Sequence, residues 1–259
     1  MKFTLTEQMI CTAANVLEDD KTCLVGSGMP LAACSLAKKT HAPNLIMVFE
    51  AGGFDPVFTR LPLSVGESIT FYKATYAGGM DDIMGDAARG MIDYGFLGGA
   101  QIDPYGNLNS TVIGDYFHPK ARFPGSGGAN DLGSLCWQTI AIMRHEKHRF
   151  VEKIDFLTTP GYLDGPGARE RAGLPADSGP HRVVTTLGLM GYDDETKRME
   201  LLGVYENVTK DDVINATGFE LIIKKEPEIL PPPTDEQLRI FREEIDIVGV
   251  ISGKSKGKD

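Results

Sequence analysis

Glu50 closes the apolar run Leu45-Ile46-Met47-Val48-Phe49 and stands directly before Ala51-Gly52-Gly53. A carboxylate is thereby set where a buried strand meets a glycine turn. At the carboxyl end of a strand in an α/β sheet, a side chain faces the crevice where ligands bind, and adjacent glycines allow close approach of substrate. A carboxylate in that place can attack an acyl carbon and later leave it, which is what covalent acyl transfer requires. The same residue can be structural, pairing with a neighbour or capping a turn.

A second constellation is Gly125-Ser126-Gly127-Gly128-Ala129-Asn130-Asp131. Three glycines in four positions free backbone N–H groups to point at a substrate oxygen, the arrangement of an oxyanion site; a flexible glycine loop is the other reading. Gly26-Ser27-Gly28 lies between a strand and a helix, where amides attract anions. It lacks both the G-x-x-x-x-G-K-[ST] pattern and a third glycine at dinucleotide-binding spacing, so a tight turn and a pyrophosphate contact both stand. Cys136 lies near the second glycine run without a histidine placed by sequence, and reads as an inert buried thiol. His145 and His148 are flanked by Arg144, Lys147 and Arg149. Cationic neighbours oppose metal binding, so the pair reads as a solvated basic face and no metal site is expected.

The elements that position these residues follow from periodicity and punctuation. Helical spacing runs from Thr6-Glu7 to Leu17, a strand covers 22–25, and a small-residue helix covers 31–39 with Pro30 at its start. The strand bearing Glu50 follows, which completes a βαβ unit and predicts a parallel sheet. Residues 81–90 read as a helix and 94–97 as a short buried strand, with short strands and loops over 103–130. Further strands are expected at 139–143, 154–158 and 219–223, and residues 183–190 and 199–205 are expected to form a hairpin with a charged tip at 192–197. Residues 161–180 are too long for an ordinary connection and suggest a functional or interface loop. Thr209 with Asp212, and Thr234, start the last two helices.

The 259 residues and their 42% apolar content suit one large α/β domain over 1–259, with about 250–259 as a flexible tail. The basic stretch 254–258 is expected to be part of that frayed end. A net charge of −10 argues against nucleic acid or an anionic membrane as partner. Four scattered cysteines without CxxC spacing fit a reducing compartment. With no signal-peptide core and no apolar run of about 18 residues, the expectation is a soluble, cytoplasmic protein.

The run Glu50-Ala51-Gly52-Gly53, then Gly98-Gly99-Ala100-Gln101-Ile102-Asp103-Pro104-Tyr105-Gly106-Asn107, then residues 125–130, resembles family I CoA-transferases in order and spacing. The resemblance is nearest to the beta subunits of glutaconate CoA-transferases. It continues through His118-Pro119-Lys120 and Gly161-Tyr162-Leu163-Asp164-Gly165-Pro166-Gly167 and covers most of the chain. It implies an open, mainly parallel α/β sheet with flanking helices and a separate alpha subunit of similar fold, in an α2β2 or larger hetero-oligomer. The expected substrates are a coenzyme A thioester and a (di)carboxylic acid such as glutaconate, with no permanently bound cofactor. By the resemblance Glu50 is the nucleophile, and Gly127 and Gly128 take the oxyanion-loop positions. Gln101 and Asn130 are read as holding that loop or the acyl group, roles the family pattern does not fix, and the turn at Gly26 and Gly28 is a candidate coenzyme A contact or a tight turn. The motif here departs from the family in carrying Ala51 where many relatives have Ser or Asn, which bears on acid specificity. Hydrolysis of a CoA thioester, or carbon-bond cleavage or decarboxylation on the same fold, is the alternative activity.

Overall fold

The computed structural model describes residues 1–253, so the basic stretch 254–258 lies outside the described residues. Contacts within the chain fall into two units, residues 1–86 with the stretch from Pro232 onward, and residues 87–231.

The first unit opens with helix α1 (Leu5–Val16), one residue earlier than the expected start at Thr6, because Thr4 is the cap. Its hydroxyl accepts the Glu7 amide while the Glu7 carboxylate accepts the Thr4 amide, a reciprocal capping box. Strand β1 (Thr22–Val25), helix α2 (Met29–Lys39) and strand β2 (Ile46–Val48) form the expected βαβ unit, with Cys23 paired in parallel register to Met47. Alanines 13, 14, 32, 33 and 37 are buried on α1 and α2, small enough for the two helices to pack closely. Two antiparallel additions were not evident in the sequence: strand β3 (Gly53–Phe54) pairs with β2, and β4 (Tyr76–Ala77) pairs with β3. A 3-10 turn at Ser68–Phe71 lies between them in the chain. Helix α3 (Met80–Ala88) then carries the chain into the second unit.

There, strand β5 (Tyr94–Leu97) is buried along its length. Two small antiparallel ladders follow, β6 (Gln101–Ile102) with β7 (Leu108–Asn109), and β8 (Val112–Gly114) with β9 (Pro119–Arg122). This is the expected set of short strands. Helix α4 (Ala129–Leu135) leads to strand β10 (Gln138–Met143), and helix α5 (Ala168–Arg171) interrupts the long connection to β11 (Gly179–Thr185). Strands β5, β10 and β11 run parallel. Strands β12 (Gly188–Tyr192) and β13 (Met199–Val204) add on in antiparallel sense around the charged tip. Helix α6 (Lys210–Asn215), capped by Thr209 and Asp212 as expected, precedes the short β14 (Glu228–Ile229). Helix α7 (Asp235–Ile240), capped by Thr234, returns the chain to the first unit and passes into a π-helical turn at Phe241–Ile245. The fold class is α/β as expected: parallel strand pairs at the heart of each unit, with antiparallel strands appended.

Three strand expectations change. Residues 183–190 are not one strand, because the Thr185 hydroxyl accepts the Leu187 and Gly188 amides and turns the chain between β11 and β12. Residues 154–158 form no strand. The Asp155 amide donates to Gln101 Oε1 at 3.0 Å and its carboxylate accepts the Gly114 amide at 2.9 Å, so side chains satisfy polar groups that a ladder would use. Residues 219–223 touch β13 through the single bridge Glu200–Ile222, and the neighbouring pairing positions on β13 go to β14.

His145 is buried, not part of a solvated basic face. Its ring stacks on Phe150 at 3.9 Å, with Nδ1 at 3.1 Å from Thr185 Oγ1 and Nε2 at 2.9 Å from Thr217 Oγ1. Burial pulls its pKa down to about 4. A histidine depressed in the folded state stabilises fully above its unfolded pKa of about 6.5, and that contribution is lost as pH falls through about 4. Unfolding free energies of wild type and His145→Gln, from urea titrations between pH 7.5 and 4, should therefore converge by up to about 3 kcal/mol as the medium becomes acidic. A gap that stays constant with pH would contradict this account.

Candidate active site

In the first unit, β2 ends at Val48 and a turn follows in which the Phe49 amide donates to Gly53 O (2.9 Å) and the Gly52 amide to Phe49 O (2.8 Å). Gly52 sits at φ +119°, in the region that favours glycine. A Cβ there would lie 2.1 Å from the Gly78 carbonyl oxygen, and one on Gly53 would lie 2.0 Å from that of Thr70. The space beside both glycines is thus filled by the protein's own backbone. They are required for chain packing, a role that the sequence did not reveal. The Gly78 amide also donates to Gly52 O at 2.9 Å and closes the arrangement.

Glu50 projects from this turn half-buried. Among the described residues its carboxylate accepts no hydrogen bond and forms no ion pair. Among the more deeply buried carboxylates, Glu7 takes Arg242 Nε at 2.6 Å and Nη2 at 2.9 Å, and Asp193 takes Lys224 and the Thr196 amide and hydroxyl, while the half-buried Asp131 and Glu200 share with Glu50 the lack of a hydrogen bond or ion pair among the described residues. A half-buried carboxylate without partners keeps both oxygens available to attack a carbon. In the same unit, Gly26 and Gly28 flank Ser27 at the start of α2. Gly28 caps the helix at φ +78° without any side-chain bond, and a Cβ there would meet nothing within 4 Å. The loop therefore presents open backbone, compatible with either of its two readings.

In the second unit the glycine turn before α4 has Gly125 at φ +97° and Gly127 at φ +49°, again with open space beside each. The Ala129 amide donates to Ser126 O (2.9 Å) and the Asn130 amide to Ser126 Oγ (3.1 Å). The Gly127 and Gly128 amides donate to no acceptor among the described residues. Two successive unengaged N–H groups are what an oxyanion site supplies.

Gln101 and Asn130 are occupied. Gln101 is buried, its Oε1 accepting Asn109 Nδ2 (2.7 Å) and the Asp155 amide, its Nε2 donating to Asp155 Oδ2 (3.1 Å). Asn130 Nδ2 donates to Thr158 O at 3.2 Å. Both residues tie segments of the second unit together, which suits loop support more than acyl contact. Among the described residues no group of three or more His, Cys, Asp or Glu is arranged to hold a metal.

Sequence reasoning missed two residues that order this region. Arg169 is 3% exposed and has no acidic partner; it donates to Pro160 O, Gly161 O, Gly133 O and Ser178 Oγ at 2.8–3.3 Å. It thereby joins α4 to the connection at 160–161 and to the entry of β11. Asn107 accepts the Gly161 and Leu163 amides and donates to Asp103 and Leu163 O. Burial pushes the Asp103 carboxyl up to about 6 against three N–H donors that favour its charged form. A cation embedded in the run Gly-Pro-Gly-Ala-Arg was the available signal, since a charged residue inside a loop of Gly and Pro has backbone carbonyls within reach.

Among the described residues the first unit thus carries a half-buried carboxylate without partners on a strand-end turn, and the second, separately, carries two amides without acceptors on a glycine turn. The coenzyme A transferase family model matches residues 6–216. The chain is 42% identical over 252 residues to the beta subunit of glutaconate CoA-transferase from Acidaminococcus fermentans, covering 94% of this chain and 93% of that one. It is 33% identical over 241 residues to the corresponding subunit of 3-oxoadipate CoA-transferase from Pseudomonas knackmussii, covering 93% and 92%. The crystal structure of the Acidaminococcus glutaconate enzyme superposes with a TM-score of 0.92 at 40% identity, over 96% of this chain and 97% of that one. The chain belongs to the coenzyme A transferase family, and it is a CoA-transferase by activity class.

Because a Cβ at residue 52 would occupy the position of a backbone oxygen, Gly52→Ala should cost at least about 3 kcal/mol in chemical denaturation, combining overpacking with an unfavourable φ. Gly28→Ala, at positive φ but in open space, should cost about 1 kcal/mol. Equal costs at the two sites would refute the packing argument for Gly52.

Proposed function

We propose that this chain is the beta subunit of a two-subunit CoA-transferase that moves coenzyme A between an acyl-CoA donor and a (di)carboxylic acid such as glutaconate. The single observation that carries the reading is the half-buried, unpartnered carboxylate of Glu50 at the strand-end turn. In this scheme a Glu50 oxygen attacks the thioester carbonyl carbon, the tetrahedral oxyanion collapses, and the C–S bond breaks to release CoA thiolate and leave an acyl-glutamyl anhydride. The thiolate then attacks the Glu50 carbonyl, expelling the donor acid as its carboxylate and forming a glutamyl-CoA thioester. The acceptor carboxylate attacks that thioester, forming a second anhydride and freeing the thiolate. Attack of the thiolate on the acceptor's acyl carbon completes the acceptor CoA ester and restores Glu50.

The Gly127 and Gly128 amides are assigned to the oxyanions of these steps, each aimed N–H contributing on the order of 3 kcal/mol. Gln101 and Asn130 hold the surrounding loops, and the Gly26 and Gly28 turn contacts coenzyme A. The partner is an alpha subunit of the same family, in an α2β2 or larger assembly. The two transferase relatives described above are each named as one subunit of their enzyme, which supports that reading. Four buried free cysteines support a reducing, cytoplasmic setting. No helix among the described residues is long and apolar enough to cross a membrane. The near full-length transferase relatives favour transfer over hydrolysis.

Glu50→Gln, produced together with the partner subunit, should retain assembly while transfer falls by at least about 10³-fold, as expected when a covalent nucleophile is removed. Incubation of the wild-type complex with acyl-CoA and borohydride should trap a reduced adduct at Glu50, read by peptide mass. Substantial transfer in the variant, or no adduct in an active complex, sinks the mechanism. Rapid release of free thiol without an acceptor acid would establish the hydrolase instead.

A further inference from the structure

The entry of β11 is irregular. Its pairing with β10 sets Thr139 opposite Pro180 and then Ile140 opposite Arg182, which leaves His181 as the extra residue of a bulge. Bulges re-aim neighbouring side chains and gather beside binding sites. Here the bulge borders a cavity of about 180 Å3, also lined by Gln138 at the start of β10, Tyr162 from the connection before α5, and Tyr192 at the end of β12. Glu50, Gly127 and Gly128 are not among its lining residues.

Arg182 is the one full cation of this lining. Its Nη1 donates to the carbonyl of His181 at 2.8 Å and lies 3.3 Å from the His181 ring, and among the described residues no carboxylate pairs with it. Arg149, Arg239 and Arg242 each meet a glutamate, and Arg169, also without an acid, spends its donors on three carbonyls and a hydroxyl. His181 stacks on Tyr94 at 6.4 Å between centroids, and burial holds its pKa at about 4, so it is neutral at pH 7. The Tyr162 hydroxyl is committed to Pro180 O at 3.0 Å. Tyr192 stands edge-on to Tyr162 at 5.5 Å, and its hydroxyl makes no hydrogen bond among the described residues. A guanidinium without an acid and a phenol without an acceptor thus line one polar cavity. Half-buried polar groups are ordinarily satisfied, so the donors left over, Arg182 Nη2 and Nε and the Tyr192 hydroxyl, point to an acceptor that is not part of the chain.

The lining limits what that acceptor is. Two carboxylates, Asp177 and Asp194, also border the cavity and oppose a dianion. A volume of about 180 Å3 suits a small ligand together with water. The planar fork of arginine matches a carboxylate. We propose that this cavity binds a small monocarboxylate, received by the Arg182 guanidinium and the Tyr192 hydroxyl. The site does not depend on the transfer mechanism and is equally open to test if Glu50 proves inert.

The test is thermal unfolding of the full chain, co-produced with its partner subunit, in sodium acetate against sodium chloride at matched ionic strength. Acetate should raise the unfolding temperature saturably, by about 2–4 °C. Arg182→Gln should remove most of that shift, and Tyr192→Phe about half of it. Acetate held elsewhere, for instance as an acyl acceptor, would leave the shift intact in both variants and overturn the proposal. So would the absence of any shift in wild type, or a response to sodium phosphate with none to acetate. Should Arg182→Gln fail to fold, Arg182→Lys, which keeps charge but loses the fork, and Tyr192→Phe decide the matter by the same readings.

Discussion

The carbonyl oxygens of Gly78 and Thr70 press against the α-carbons of Gly52 and Gly53 so closely that no side chain fits between. This contact fixes the turn that carries Glu50. A strand end by itself leaves a side chain free to swing with its loop. Here the loop is pinned from one side by β3, from another by the Gly78 backbone, and internally by the Phe49–Gly53 hydrogen bond. The carboxylate therefore stands on backbone that cannot relax toward a neighbouring donor. Preorganisation of this sort is what a nucleophile needs, because orientation that is set during folding does not have to be set during reaction. Elsewhere in the first unit, the pairing of buried Glu7 with Arg242 locks α1 to the π-helical turn at Phe241–Ile245. The Arg242 guanidinium holds Glu7 below the usual carboxylate range.

The second unit reaches the same end by a different route. Its glycine turn is open on the outside, and its rigidity comes from beneath, where Arg169 directs its donors to backbone carbonyls rather than to an acid. Carbonyl acceptors leave the guanidinium's charge uncancelled, so the arrangement is stable only where many dipoles converge. Gly133 makes this possible. A Cβ there would meet Thr159 and the Pro160 carbonyl, so α4 can approach the 159–161 strip only through a glycine. With α4 held, the Gly127 and Gly128 amides ahead of it are aimed by the helix start and by Ser126 rather than by contacts of their own.

Much of this was legible in the sequence because it rests on local rules. The βαβ unit of β1, α2 and β2, the buried β5, and the caps at Thr209 and Thr234 all follow from period, punctuation and side-chain oxygens placed three residues before a partner. The errors fall where side chains replace the backbone's usual partners. Asp155 and Gln101 bond across 54 residues and remove a strand that composition suggests. Thr185 folds its hydroxyl onto the two amides after it and cuts another. His145 sits among Arg and Lys in sequence, yet its own ring turns inward between two threonines onto Phe150, which no neighbour in the chain reveals. For the site, Glu50 and the two free amides were visible as types in context. The purpose of Gly52 and Gly53 was not, because the carbonyls that require them lie 17 or more residues onward.

The contrast among acids carries the functional argument furthest. A carboxylate lost from water is stabilised by donors, and this chain supplies them to its fully buried acids: two arginine nitrogens and a helix cap for Glu7, a lysine and a threonine for Asp193, three N–H groups for Asp103; the half-buried Asp131 and Glu200 go without among the described residues. Glu50 receives none among the described residues, although it is half-buried and a turn with several amides surrounds it. If stability alone governed that position, an uncharged residue would serve it better, since partial desolvation without compensation is a net cost. Donors would also oppose catalysis, because every hydrogen bond to the carboxylate must be broken or weakened as an oxygen becomes bonded to carbon. In the proposed reading each unit lacks one thing that an acyl thioester brings: for Glu50 in the first unit an electrophilic carbon, and for the Gly127 and Gly128 amides in the second an oxygen acceptor.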